Sequence, residues 1–402
     1  MIMMKELPRF DSAEYWVNPY AVYQSIRTHS PVCQIQPGNL WVVTRYKDVN
    51  LVLKDDRLFS SSGFNAMCSP DWLSQDCHRD LFVLSSDLPI HRVRRRTINK
   101  AFIPRIINQL LPLLHETAQK LVDKLRDPTP VEFLHDFSFP FAGAAMARLT
   151  GTEDTQNIDL IFEWLRQTEM LSPVKPSAQT VTAIEDQMRL HNDYLLEIIA
   201  DRRKNPRGDL VCELLNSELE GQLLTDEQVR NILELFLTAG FHTVTQSLSM
   251  AMILFARQPE ILLTLREDPS CMPGFIEELL RFYPSGHTVL RQTTEDVVFD
   301  KVTIPKGEVV LAIVASANRD ETVFEDPDTF NMYRKNAKAH LGFGIGIHHC
   351  IGSGLARLEL QIAFEYLVKA FSKVECAPDE DLAWIQSFLN RGVSHLSLKL
   401  TP

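Results

Sequence analysis

One cysteine stands in a glycine-rich loop, Phe343-Gly344-Ile345-Gly346-Ile347-His348-His349-Cys350-Ile351-Gly352-Ser353-Gly354-Leu355-Ala356-Arg357, followed at once by a helix-compatible run from Ser353 to Phe371. A sulfur at a helix start meets free N–H donors and the positive end of the dipole, and both favour thiolate over thiol. Glycines at 344, 346 and 352 let such a loop turn sharply and approach a flat cofactor. A buried, hydrogen-bonded thiolate is a strong proximal ligand for a heme iron. A cysteine that is only a small buried hydrophobe needs none of these neighbours. Zinc fits poorly, because His348 and His349 splay apart and no second Cys-x-x-Cys or His-x-x-x-His cluster completes a tetrahedron. Gly342, Gly344 and Gly346 also lack the Gly-x-Gly-x-x-Gly spacing of a nucleotide loop.

Taken in order, these residues resemble the heme-binding signature of the cytochrome P-450 monooxygenases. The match covers the aromatic residue, both glycines, the histidine, the cysteine, the following glycine and the closing Leu-Ala-Arg. The resemblance implies heme b held non-covalently, with Cys350 as axial ligand and Phe343 and Gly344 beside the cofactor. It implies propionate ligands at His91 and Arg95, which stand i,i+4 on a basic stretch, and at Arg291 and His348. Glu278-Leu279-Leu280-Arg281 is a Glu-x-x-Arg whose ends share a helix face. As a tetrapeptide it is an ordinary surface pair. Its place before Pro284, well upstream of Cys350, resembles the family's structural pair, with Arg334 as third member. Buried triads of that kind fix geometry more than they add net stability.

Ala239-Gly240-Phe241-His242-Thr243 resembles the family's oxygen-activating segment. There Gly240 leaves room above the iron. Thr243 can return its hydroxyl to the Ala239 carbonyl, loosening the helix, and can relay protons to bound oxygen. The departure is His242, where the family usually has an acid. With an unperturbed pKa near 6.5, an imidazole can shuttle protons near neutrality, or it can simply pack.

These residues need long helices to position them. The clearest begins at Thr225, with Gln228 reaching back in a capping-box pattern, and runs without proline to Arg257. Apolar on most faces, it belongs in the middle of the molecule. A second spans about Met272 to Phe282 and stops at Pro284. Residues 31–44 read as a β-hairpin around Pro37-Gly38-Asn39, and Lys47 to Lys54 as a short helix. Residues 60–86 are irregular, as binding loops often are. From Pro89 to about Asp268 the pattern is helical, with breaks at Pro128-Thr129-Pro130, Pro173 to Pro176 and Pro206 to Gly208. Short strands follow at 288–292, 297–304 and 309–313, and a further pair at 384–400. The fold class is mainly α with minor β-sheets. The resemblance implies a single domain over 1–402 with the family's triangular-prism shape, β-rich at about 31–60, 288–313 and 384–400, helical at about 89–283 and 353–371.

With 402 residues and 45% hydrophobic content, a substantial core is available. Seven cysteines at irregular spacing argue for a reducing compartment. Met1 to Phe10 lacks the apolar span of a signal peptide or anchor, so a cytoplasmic protein with no membrane anchor is expected. A formal charge of −11 disfavours nucleic acid. The local exception is His91 to Arg105, with Arg92, Arg94, Arg95, Arg96, Lys100 and Arg105 and no acid. Most charge runs are solvated faces; six unpaired cations can also await an anionic partner.

The reading that follows is a monomeric heme-thiolate monooxygenase. It inserts one oxygen atom from O2 into a medium or large hydrophobic substrate, free or carrier-bound, in a tailoring step of secondary metabolism. A ferredoxin or flavodoxin would dock at the basic 91–105 helix. The expected pocket uses the 60–86 loop, part of 164–185, the central helix, Ser285 to Leu290 and the turn near Phe388-Leu389, with His287, Thr288 and Asn390 as polar points. The substitution at His242 motivates an alternative on the same fold: peroxide-driven oxidation, coupling or rearrangement. A heme protein that only binds a ligand or gas is the remaining class.

Overall fold

Thr225 caps the longest helix through the two reciprocal bonds its sequence predicts. Its Oγ1 accepts from the Gln228 amide at 3.2 Å, while Gln228 Oε1 accepts from the Thr225 amide at 3.0 Å. In this computed structural model the helix runs over 32 residues, Asp226–Arg257. The structure describes residues 7–126, 130–152, 161, 163–164, 167, 171, 175–207 and 209–402, without the side chains of 66, 67, 104 and 105. The expected breaks at Pro128-Thr129, Pro173 and Gly208, and the side chain of Arg105, lie outside the described residues.

Because the central helix is apolar nearly all round, it is buried nearly all round, with Leu237, Leu248 and Phe255 fully covered. Two further helices pack beside it. Met272–Phe282 ends before Pro284, and Ser353–Ala370 begins after the cysteine loop. An aromatic triad locks the three together. Phe275 stacks on Phe255 at 5.4 Å and meets the edge of Phe364 at 5.2 Å. The helix that supplies Glu278 and the helix that follows Cys350 are thereby fixed to the helix that carries Thr243.

The hairpin forms as predicted, Val32–Ile35 against Leu40–Val43, with Gly38 and Asn39 at positive φ in its turn. It joins a five-stranded sheet in the order Val32–Ile35, Leu40–Val43, Val309–Ile313, Thr288–Thr293, Phe59–Ser60. Register in that sheet places Arg291 opposite Val310.

Two expectations change. The 384–400 stretch is not one pair: Ala383–Trp384 pairs with Val393–His395, whereas Ser397–Thr401 lies between Lys373–Cys376 and Val131–Glu132. The 60–86 segment holds a short helix, Gly63–Cys68, closed by its own backbone bonds. Among the described residues no single helix is long and apolar enough to cross a membrane.

Candidate active site

Cys350 leaves the glycine-rich loop through a fixed turn. Its amide donates to the Phe343 carbonyl at 2.8 Å, closing the loop on itself. Gly344 and Gly346 reach φ of +63° and +77°, a region in which a side chain is strained. Gly352 does not need that freedom; it caps the helix Ser353–Ala370 with φ −80°. Burial pushes the Cys350 thiol up, opposed by the amides of Gly352 and Ser353 and by the charges of Arg95 and Arg357. Desolvation opposes the helix-start amides, and coordination to a metal cation would favour the deprotonated sulfur, its proton leaving to solvent.

Two imidazoles and two guanidiniums gather beside this loop. The rings of His91 and His348 lie 4.3 Å apart, and Arg95 donates to the His349 carbonyl at 2.7 Å. Arg291 is 3% exposed and bonds its guanidinium to the Leu290 carbonyl. Burial and then the neighbouring positive charges hold His348 down at about 3, and His91 below its ordinary value for the same reasons. Burial lowers Arg291 to about 10, with Asp87 opposing. His91 Nε2 is buried with no hydrogen-bond partner. Two half-buried or buried guanidiniums beside an imidazole nitrogen that lacks a partner fit a bound dianion, as the two propionates of a heme would be. Arg95, Phe343, His348 and Cys350 line one cavity, whereas Gly344, His91 and Arg291 are not among its lining residues. His348 is partly committed already, because Ser61 Oγ lies 2.7 Å from its Nε2.

Across that cavity, of about 290 Å3, stands the central helix. Ala239, Gly240, Thr243 and Val244 face Cys350 and Leu355, with Val83, Leu84 and Leu235 completing an apolar wall. Thr243 donates to the Ala239 carbonyl at 2.7 Å, as its position suggests. Ser247 repeats the bond one turn on, to the Thr243 carbonyl at 2.8 Å. His242 does not line the cavity. Gly240 lines the cavity, and its missing side chain also leaves space on the side of Met146. A Cβ there would meet Met146 Sδ at 2.0 Å, so the glycine admits a methionine from Phe139–Thr150. Two larger clefts, of about 500 and 460 Å3, hold neither the cysteine nor the threonine.

Glu278 and Arg281 are both fully buried and joined by two 2.7 Å bonds. Arg334 completes the triad at 3.0 and 3.1 Å. Arg281 also donates to the Asn318 and Pro327 carbonyls, tying the helix to the chain that leads to the cysteine loop.

Several expected positions belong elsewhere. His287 faces away from the cavity, its nitrogens 3.2 Å from Tyr23 and 3.3 Å from Tyr20. Burial, with Arg391 and Arg319 nearby, holds it well below its ordinary range. Phe388 and Leu389 pack with Phe64, Leu81 and Leu290. Among the described residues of 164–185, none lines the cavity. Arg94 does not face outward with Arg92, Arg96 and Lys100. It donates to Asp80, to Ser86 and to the Phe82 carbonyl. Sequence reasoning missed Ser61, Met146 and Glu359; the first two have no local signal, and Glu359 showed only as an acid on an otherwise buried helix face.

The chain was compared with known proteins. A family model described as Cytochrome P-450 matches residues 10–394. Cytochrome P-450 107B1 of Saccharopolyspora erythraea is 33% identical over 381 residues, 92% of each chain. The structure of CYP109Q5 from Chondromyces apiculatus superposes with a TM-score of 0.87 at 33% identity, covering 98% of both chains. P-450BioI, solved in complex with an acyl carrier protein ligated to hexadec-9Z-enoic acid, gives 0.86 at 28% identity, covering 96% of this chain and 99% of its own.

Proposed function

This chain belongs to the cytochrome P-450 family, and on that premise we propose that it inserts one oxygen atom from O2 into a medium or large hydrophobic molecule by hydroxylation or epoxidation. It is a heme-thiolate monooxygenase with Cys350 as axial ligand. The observation that carries the reading is a single cavity lined by both Cys350 and Thr243. Heme b held there by a thiolate supplies reductive activation of dioxygen.

The chain's own residues supply the rest. His91, Arg95, Arg291 and His348 bind the two propionates, which gives the guanidiniums their counter-charge and the His91 nitrogen a partner. Phe343 packs beside the cofactor, and Gly344 turns the loop that presents the sulfur. Glu278, Arg281 and Arg334 hold the approach to that loop. Thr243 moves the protons: its hydroxyl, now donating to Ala239, can turn toward the cavity and donate there, and then recover a proton from solvent in the opened groove. Gly240 and Ala239 keep that face of the helix low. His242 does not line the cavity, so a proton from it would enter through Thr243 or water. The apolar wall of Val83, Leu84, Leu235 and Val244 excludes water and selects an apolar substrate.

The substrate is free or carrier-tethered, and the acyl carrier complex of P-450BioI supports the second possibility by likeness. The chain is one heme domain, acts as a monomer in the cytoplasm, and takes part in secondary-metabolite tailoring. Electrons come from a ferredoxin or flavodoxin docked on the exposed cations Arg92, Arg96 and Lys100 of the basic helix.

The test is a titration of the ferric protein with hydrophobic metabolites and carrier-bound acyl and amino-acyl groups, followed at the heme Soret band. A low-to-high-spin shift identifies the substrate class; absence of a Soret band overturns the reading. The position of His242 favours one second reading, peroxide-driven oxidation. It predicts product from hydrogen peroxide without any reductase.

A further inference from the structure

Glu277 and Glu278 are neighbours on Met272–Phe282, yet they serve different parts of the molecule. Glu278 turns to Arg281 and Arg334. Glu277, buried at 6% exposure, accepts from Arg357 Nε at 2.6 Å and Nη2 at 3.1 Å, and meets His340 Nε2 at 3.3 Å. The imidazole direction follows from its other nitrogen. His340 Nδ1 accepts from the Gly342 amide at 3.0 Å, so the proton sits on Nε2 and is donated to Glu277. Although burial pulls the other way, the bonds to His340 and Arg357 hold the Glu277 carboxyl down at about 2.

Both partners then act on one short piece of chain. His340 holds the amide of Gly342, and the Arg357 guanidinium lies over the ring of Phe343, 4.5 Å from its centroid. Phe343 in turn receives the Cys350 amide. Arg357 also adds positive charge near the sulfur.

We propose that Glu277 is a positioning residue for the thiolate. Through Arg357 and His340 it fixes the Gly342–Phe343 peptide, and it neutralises the guanidinium that would otherwise draw charge from Cys350. This inference rests on the heme-thiolate reading above.

Glu277→Gln keeps the shape and removes the charge. In purified ferric protein the expected result is a more positive reduction potential. The reduced carbon monoxide complex should also lose its thiolate-ligated Soret form about tenfold faster, the scale of one buried charged hydrogen bond. Glu277→Asp should restore part of both. If Glu277→Gln holds no heme, Arg357→Lys, which retains the charge but not the fork or the stacking, must show the faster loss. A merely structural residue would lower melting temperature and leave potential and band unchanged in the folded fraction, and that outcome overturns the proposal. Should the wild-type protein form no thiolate complex, the heme-thiolate reading itself fails, which is a distinct result.

Discussion

Arg94 reaches Asp80 across 3.0 Å, joining the basic helix Ile90–Asn99 to the irregular segment that precedes it. Its guanidinium also lies 4.9 Å from the centre of the Phe82 ring. A residue that reads as one more surface cation is thus a structural tie, and the basic face is left to Arg92, Arg96 and Lys100. Reversing Arg92 and Arg96 together should leave the fold intact and slow electron transfer from an acidic partner, with the deficit shrinking as salt rises. Arg94→Ala should instead lower stability by about 1–3 kcal/mol. Stopped-flow reduction at several ionic strengths, with thermal melts, separates the two. Equal and salt-independent effects would argue against docking on this face.

Glu278 is a buried carboxylate shared by two arginines. Glu278→Gln leaves both cations short of their counter-charge, so it should cost about 3–5 kcal/mol. Most of the expressed protein should then lack heme. The heme-to-protein ratio after purification checks this, and a normal ratio with an unchanged melting temperature would contradict it.

Thr243→Ala removes the one hydroxyl, among the described residues, that both lines the cavity and bonds Ala239. Product formed per electron pair should fall about tenfold or more, with the balance appearing as hydrogen peroxide. Thr243→Ser should restore most of it. Substrate-induced spin shifts should be normal in both. Full coupling in the alanine variant would remove Thr243 from proton delivery.

Gly240→Ala drives a methyl group into Met146 and should destabilise the protein by about 1–3 kcal/mol. Adding Met146→Ala should recover much of that loss. If the double variant is no better than the single one, the glycine serves some purpose other than helix approach.

Glu359 is 2% exposed on the helix after Cys350, and its Oε1 has no partner. Burial pushes this carboxyl well above its ordinary value, so the folded protein holds a proton that the unfolded chain releases. Where the unfolded state binds fewer protons, stability falls as pH rises. The loss therefore starts as pH climbs through the unfolded carboxyl's value and continues up to the folded one. Glu359→Gln has no such dependence. Its stability advantage over wild type should widen as pH rises above the ordinary carboxyl range, measured by urea unfolding of the holoprotein. A constant difference would mean that Glu359 is ionised in the fold.

The features that could be read from sequence are those whose partners are close along the chain. The capping box at Thr225 and Gln228, the Glu278–Arg281 pair and the Thr243–Ala239 bond each close within four residues. Alternation and turn residues likewise sufficed for the hairpin at 32–43. What escaped depends on contacts across the fold. Ser61 meets His348 from 287 residues away, and Arg357 meets Glu277 from 80. The identities of these residues are unremarkable, so only packing reveals them. His287 shows the reverse error: a polar residue in a pocket-forming segment turned its ring toward Tyr20 and Tyr23 because two hydroxyls waited there.

Arg95 carries one further consequence. Its bond to the His349 carbonyl spans from the basic helix to the residue immediately before the ligating cysteine. The helix that carries Arg92, Arg96 and Lys100 is therefore the short arm of a lever whose other end rests on the sulfur. It cannot tilt without dragging that peptide along or snapping the link.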